Sequence, residues 1–420
     1  MTTALARPLR VLQVSHGWEA RGGGGAERSA AALTSTLGRR PDVDATMIAC
    51  VSPAQLDARG PLAMDDATGT RLIVSQTDWI FFSWLDPQVS AIWRDVLHEF
   101  RPDIVHMHHY AHAGIELPLV VKQELPAARV VLTLHEFLAL CPRSGQMVQR
   151  GGQLCNGPGI RKCADCMEWD VSFTAARDHY VRAGLSHVDA FTSPSRFLAD
   201  RYVTWGLPRN ALHVIPNVLE GAGRPLATRN GTDPFLRIGY LGQHTPMKGL
   251  SVLLDAIDLL PKAVRQACAF EIYGSGADRF GEDFLAELAT HRSLRHREVS
   301  LEGPYSNERV SDILDHLDLI VVPSTWWENS PVVIEEALSR GVPVLCSDIG
   351  GMAEKVRPGI DGWHFRVGDS RSLAGRLADL VASRPWSVVS SMRLPPPSET
   401  TAESYVRLYR RLHPMTEETR

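Results

Sequence analysis

Short apolar runs recur along the chain, separated by amphipathic segments of helical period. Residues 9–15, 45–50, 104–107, 130–134, 190–192 and 213–215 are brief hydrophobic stretches bounded by polar residues. That is the pattern of parallel strands covered on both faces. Between them, apolar spacing predicts helices over 26–37, 87–100 and 171–185. Strands alternating with helices mean a doubly wound α/β domain. Residues 220–234, rich in Gly, Pro, Thr, Asn and Arg, have almost no periodicity and read as a linker. The alternation then restarts, with strands at 237–241, 270–273, 299–301, 319–322 and 343–347 and helices at 251–260, 279–291, 306–314 and 331–340. After the Pro395-Pro396-Pro397 breaker, one more amphipathic helix is expected over 398–412. The expectation is therefore two α/β domains, 1–219 and 235–395, with residues 396–420 forming a C-terminal helix that packs back on the first.

Composition narrows the class. A chain of 420 residues with 44% hydrophobic and 22% charged residues is globular, not disordered, collagen-like or coiled-coil. Before Glu220, 21 Lys and Arg balance 21 Asp and Glu, so the net charge of −4 lies entirely in the second half. No basic half exists to hold nucleic acid. No apolar run approaches the ~18–20 residues of a membrane span. Arg7 and Arg10 lead straight into a strand, without the apolar core of a signal peptide. A cytoplasmic protein is expected, with peripheral membrane contact left open.

Three loops carry candidate chemistry. Gly22-Gly23-Gly24-Gly25-Ala26-Glu27 joins the first strand to the first helix. It offers backbone N–H groups to a phosphate, or it is only a βα turn; the dinucleotide fingerprint fails at its third glycine. Pro323 to Pro331 precedes a helix in which Ser330 is expected as N-cap, Pro331 as first residue and Gly341 as the terminator. Glu328 and Glu336 flank that helix start, either to receive ligand hydroxyls or to complement the helix dipole. Gly242-Gln243-His244-Thr245-Pro246-Met247-Lys248-Gly249 follows a strand and presents a lysine either to a ligand phosphate or to solvent.

Taken together, these pieces resemble a known family. Glu328-x7-Glu336, followed by Ala337-Leu338-Ser339-Arg340-Gly341-Val342-Pro343-Val344, resembles the Glu-x7-Glu signature of retaining nucleotide-sugar glycosyltransferases. The lysine turn, Tyr273-Gly274-Ser275-Gly276, Pro194-Ser195, Pro216-Asn217 and Gly25-Ala26-Glu27 also fall where that family places them. Over about residues 9–385 the chain is similar to members of glycosyltransferase family 4. The resemblance implies the GT-B fold, two Rossmann-like doubly wound domains facing across a cleft.

The same resemblance implies roles. Glu336 matches the residue that binds the nucleotide ribose, and Glu328 the one facing the 3- and 4-hydroxyls of the sugar. Lys248 matches the diphosphate lysine. His135 matches the strand-end histidine at the 6-position of the donor sugar, with its backbone near the anomeric carbon. Gly24 and Gly25 match the loop that closes on the diphosphate. Residues 303–305, Tyr305 among them, match the base site. Gln243, Gly274, Gly276, Asn329 and Ser330 complete the donor side.

Two positions depart from the family pattern. Gln243 stands where an arginine is common, and Pro331 leaves position 331 without an N–H. The implied reaction is transfer from a nucleotide diphosphate sugar, UDP or GDP, to the hydroxyl of a small-molecule, glycan or lipid-linked acceptor. It proceeds with retention by front-face displacement and without a catalytic metal, in carbohydrate or glycoconjugate biosynthesis. A non-catalytic sugar-nucleotide-binding protein is the alternative, and a GT-B phosphorylase or epimerase a further one.

Three features lie outside that scheme. Cys141, Cys155, Cys163 and Cys166 cluster within 26 residues around a glycine-rich segment that has little to bury. They read as a structural zinc site or as incidental thiols. His106, His108, His109 and His112 straddle a strand end; the first two are read as lining the cleft. The aromatic stretch Asp78-Trp79-Ile80-Phe81-Phe82-Ser83-Trp84 reads as an acceptor or lipid contact, or as core.

Overall fold

A computed structural model describes residues 7–17, 24–53, 62–64, 70–219, 235–383 and 395–414. The chain divides into two units, Met1–Glu220 with Pro397–Arg420, and Gly221–Pro396. The expected linker 220–234, and Gly22 and Gly23, lie outside the described residues.

The first unit is built on β1 (Leu9–Ser15), β2 (Val43–Val51), β3 (Leu62–Met64), β4 (Arg71–Val74), β5 (Ile104–Met107), β6 (Arg129–Thr133), β7 (Ala190–Ser193) and β8 (Leu212–Val214). Their order is β3-β4-β2-β1-β5-β6-β7-β8. Among these described strands, only the β3–β4 pairing is antiparallel. Val11 on β1 pairs with Ala45 on β2 and Ile104 on β5, which places β1 in the middle of the sheet. Helix Gly25–Gly38 lays Ala32, Leu33 and Leu37 on that sheet. Helix Ser398–Leu412 adds Tyr405, Val406, Leu408 and Tyr409 to the same core.

The second unit contains β9 (Leu236–Leu241), β10 (Cys268–Tyr273), β11 (Val299–Gly303), β12 (Leu319–Val322), β13 (Val344–Ser347) and β14 (Gly362–Phe365). Here the order is β11-β10-β9-β12-β13-β14, parallel at every described pairing. Side chains alternate between two cores. Ile238, Tyr240, Leu319 and Val321 face one, whereas Leu241, Ile320 and Val322 face the other. The central strands β9 and β12 are therefore apolar on both faces, the property that makes them visible as continuous runs.

Several elements differ from expectation. β3, β4 and β14 are additional strands, and Leu117–Glu124, Ile160–Met167, Arg196–Trp205, Lys262–Gln266, Gly350–Lys355 and Ser370–Ser383 are additional helices. Two expected helices open on 3-10 turns, Ala277–Phe280 before Glu282–Thr290 and Asn307–Arg309 before Val310–His316. The expected cap at Ser330 is corrected: the helix is Val332–Ser339 and its N-cap is Pro331. Ser330 Oγ instead donates to Glu335 Oε1 at 3.0 Å, which removes it from capping. Gly341 does terminate that helix, at φ 71°, with the Val342 N–H returning to the Ala337 carbonyl.

Candidate active site

In a parallel sheet, ligands are held at the carboxyl ends of strands where the winding direction reverses. The second unit reverses between β9 and β12, since β10 and β11 lie on one side of β9 and β13 and β14 beyond β12. The loop after β9 carries Lys248, and the loop after β12 carries Ser324, Trp326 and Glu328. Lys248 Nζ donates to Glu328 Oε1 at 2.6 Å. Trp326 Nε1 and Ser324 Oγ donate to the same oxygen at 2.8 and 2.9 Å. Burial alone would raise the Glu328 carboxyl, but the Lys248 charge and the three donors outweigh it and hold it below the usual carboxylate range.

Glycines let the loop backbones approach. Gly249 sits at φ 69°, and a β-carbon there would lie 2.0 Å from the Pro323 carbonyl oxygen. Lys248 ends its 3-10 turn, and Gly249 caps helix Leu250–Leu259 directly after it. A β-carbon at Gly274, φ 137°, would lie 1.8 Å from the Gly242 carbonyl oxygen. The loops are stitched by backbone bonds from His244 to Ser275 at 2.8 Å and from Gly274 to Gly303 at 2.8 Å. Tyr305 follows, its ring edge-on to Tyr273 at 6.2 Å. Gly276 has φ 103° and starts the turn after β10. Gln243 is exposed, and its carbonyl accepts from Tyr240. Asn329 is buried against Gly351, whose N–H bonds the Glu328 carbonyl at 2.8 Å. Glu336 is half-buried in the second turn of its helix.

The first unit reverses between β1 and β5. Gly24 caps helix Gly25–Gly38, and the Glu27 carboxylate turns back toward Gly17 and Gly24 and pairs with His16 Nε2 at 3.3 Å. The His16 and His109 rings lie tilted by 32°, with centroids 4.2 Å apart. His109 Nδ1 accepts from the Ala111 N–H at 2.7 Å, so its Nε2 carries the proton toward Glu136 Oε1 at 3.2 Å.

His135 reaches His108 Nδ1 through its Nε2 at 3.3 Å. His108 Nε2 donates to Gln13 Oε1 at 2.8 Å, and Gln13 Nε2 donates to the Tyr409 hydroxyl at 3.3 Å. Tyr409 contacts His106 Nδ1 at 2.6 Å, and His106 Nε2 contacts Thr133 at 2.7 Å. Burial, reinforced by neighbouring imidazoles, pushes both His106 and His135 down to about 3. The chain thus fixes His135 as a neutral ring with Nε2 protonated and Nδ1 as acceptor.

Two family descriptions match the chain. "Glycosyltransferase Family 4" covers residues 23–220, and "Glycosyl transferases group 1" covers residues 229–391. The chain belongs to glycosyltransferase family 4.

Curated relatives match over shorter stretches. Amylovoran biosynthesis glycosyltransferase AmsK of Erwinia amylovora is 29% identical over 195 residues, 44% of this chain. D-inositol 3-phosphate glycosyltransferase of Nocardia farcinica is 32% identical over 150 residues, 35% of this chain. The chain spans 46% and 33% of the length of these two relatives. Among solved structures, Anabaena HepE in complex with UDP and glucose superposes with TM-score 0.63 and 16% identity, over 95% of this chain and 99% of that one. Sucrose-phosphate synthase from Thermosynechococcus elongatus superposes with TM-score 0.67 and 16% identity, over 96% and 99%. At such identities the likeness establishes the GT-B fold, two Rossmann-like domains.

Within this family-4 chain, sequence reasoning missed several residues. Ser324 and Trp326 are neighbours of Glu328 in its own loop. Glu335, rather than Glu336, is the buried glutamate of its helix and pairs with Lys355. Gln13, a polar residue inside an apolar strand, was the available signal for the histidine chain. The aromatic stretch is largely packed: Phe82 is fully buried, Phe81 lies edge-on to Phe173 and Tyr180, and Trp84 donates to the Ala113 carbonyl. Trp79 remains 54% exposed. Among the described residues no group of three or more His, Cys, Asp or Glu is arranged to hold a metal, the four histidines at 106–112 included. None of the described helices is long and apolar enough to cross a membrane.

Proposed function

We propose that the chain transfers a sugar from a nucleoside diphosphate sugar, UDP- or GDP-linked, to an acceptor hydroxyl with retention of anomeric configuration. The observation that carries this reading is the Lys248–Glu328 pair at the switch point of the second unit, braced by Ser324 and Trp326. A cation and a charged carboxylate side by side at that point suit a ligand with a diphosphate next to a polyhydroxylated ring. Lys248 neutralises the diphosphate. Glu328 Oε1 is occupied by three donors, and Oε2 is the oxygen offered to the sugar hydroxyls. Glu336 binds the ribose, Tyr305 borders the base, and the backbones of Gly274, Gly276, Asn329 and Ser330 line the phosphates and sugar. Gln243 contributes a neutral side chain where an arginine would add charge.

In the first unit, taken by itself, the candidate residues are Gly24, which caps its first helix, Gly25 and His135. A neutral His135 with Nδ1 as acceptor suits a sugar hydroxyl. The departing diphosphate helps deprotonate the acceptor, so the protein positions the reactants and stabilises leaving-group charge, without a catalytic metal. Neighbours of the same fold crystallised with UDP and with UDP-glucose support a uridine donor. A cytoplasmic location belongs to the same proposal.

A thermal-shift panel of UDP-, GDP-, ADP- and TDP-sugars identifies the donor, and nucleotide release with acceptor extracts then reports turnover. Lys248→Ala should weaken diphosphate binding by roughly 1.5–3 kcal/mol, the scale of hydrogen bonds to charged groups, and leave nucleoside binding nearly unchanged. Equal loss for both ligands would remove the lysine from the phosphate site. Product NMR showing inversion would remove retention.

A further inference from the structure

Helix Ile160–Met167 buries only Ala164 among its eight residues, so apolar packing does little to hold it. It nevertheless presents Cys163 and Cys166, three residues apart on one face, to the pocket that Cys141 and Cys155 also line, together with Leu140 and Met147. The four thiols, spread over 26 residues of sequence, therefore meet in one place within the first unit. All four are free. The backbone around them is already shaped. The Cys155 N–H bonds the Met147 carbonyl at 2.7 Å, and the Cys141 and Cys155 thiols donate to the carbonyls of Arg143 and Gly157 at 3.9 and 3.3 Å.

Three cations lie near the thiols. Arg177, itself buried, lies within electrostatic reach of Cys141 and Cys163, Lys162 of Cys163, and Arg201 of Cys155. The Arg177 guanidinium is held by the carbonyls of Ile80, Leu138 and Ala139.

We propose that Cys141, Cys155, Cys163 and Cys166 bind one structural zinc ion. The ion enters as the four thiols release four protons to solvent, giving a closed tetrahedral site with no open position for catalysis. The thiols share the pocket without forming a ready-made ligand set, since no group of three is arranged to hold a metal among the described residues. Metal binding therefore includes a local closing of the loops at 141–155 onto the helix, and its free energy is spent ordering a segment that burial does not order. This inference is independent of the donor reading.

The test begins with the full chain, purified without chelator. Elemental analysis should give about one zinc per chain. After removal of that metal with a mercurial, added Zn²⁺ should rebind at one equivalent and protect the four thiols from Ellman's reagent. Co²⁺ added instead should give the intense thiolate charge-transfer absorption of a tetrahedral sulfur site. Cys163→Ser with Cys166→Ser should abolish stoichiometric binding and speed proteolysis within 145–162. Should that variant fail to fold, the wild-type metal content and rebinding decide the matter alone. Metal-free protein that ignores equimolar Zn²⁺, or that carries a disulfide among these four residues, would overturn the proposal.

Discussion

At Glu328 two opposing effects meet: burial favours the protonated acid, while Lys248, Trp326 and Ser324 favour the carboxylate. The carboxylate prevails, so the folded group releases its proton at lower pH than the unfolded one. Its stabilisation is then complete above the unfolded value of about 4.3 and lost as pH falls through the folded value. Glu328→Gln should cost about 1–2 kcal/mol at pH 7, below the figure for a fully buried pair because Lys248 remains about a third exposed. Urea melts at pH 7 and pH 3 measure it. The difference between wild type and variant should narrow at the lower pH, and a difference independent of pH would show that charge is not the source. Both members of this pair were legible in the sequence because each follows a strand in a recognisable loop. The oxygen they share, and the help of Trp326 and Ser324, depend on how two loops 80 residues apart meet.

Helix Ser398–Leu412 shows the same limit at the scale of an element. Its amphipathic period is plain in the sequence, and so are the runs that became β1, β5 and β12, because burial on both faces leaves them apolar throughout. The edge strand β3 has three residues and an antiparallel neighbour, and β14 mixes Gly362 and His364 with Trp363. Neither produces a run to notice. What the helix does in the fold was not legible either, because Tyr409 meets Gln13 from 396 positions away. Its hydroxyl accepts from Gln13 and contacts His106 at 2.6 Å, all in the interior. Tyr409→Phe keeps the ring and strands both partners, so it should cost roughly 1–3 kcal/mol. Tyr409→Ala adds a cavity and should cost roughly 3–5 kcal/mol. Chemical denaturation should rank wild type above Phe and Phe above Ala. Wild type equal to Phe would mean that the buried chain through Gln13 and His106 adds nothing.

Across the whole molecule, acid sensitivity should come from imidazoles before carboxylates. His16, His106, His108 and His135 are all pushed below the ordinary histidine value, in each case first by burial and then by neighbouring rings. For each group the unfolded chain takes up a proton near pH 6.5, whereas the folded chain does so only at much lower pH, about 3 for His106 and His135. The unfolded state therefore binds more protons throughout that interval, and stability rises with pH across it. It is complete above about 6.5 and declines below. Between pH 7 and 5 each such histidine should remove about 2 kcal/mol, so four acting together would rival the ~5–15 kcal/mol margin of an ordinary domain. Melting temperatures measured in steps from pH 8 to pH 5 should be level at first and then fall steeply, well above the carboxylate range. His106→Asn removes one titrating group while leaving the site polar, and its acid limb should be shallower by about one proton. A melting temperature that stays level down to pH 5 would mean that these rings accept protons inside the fold.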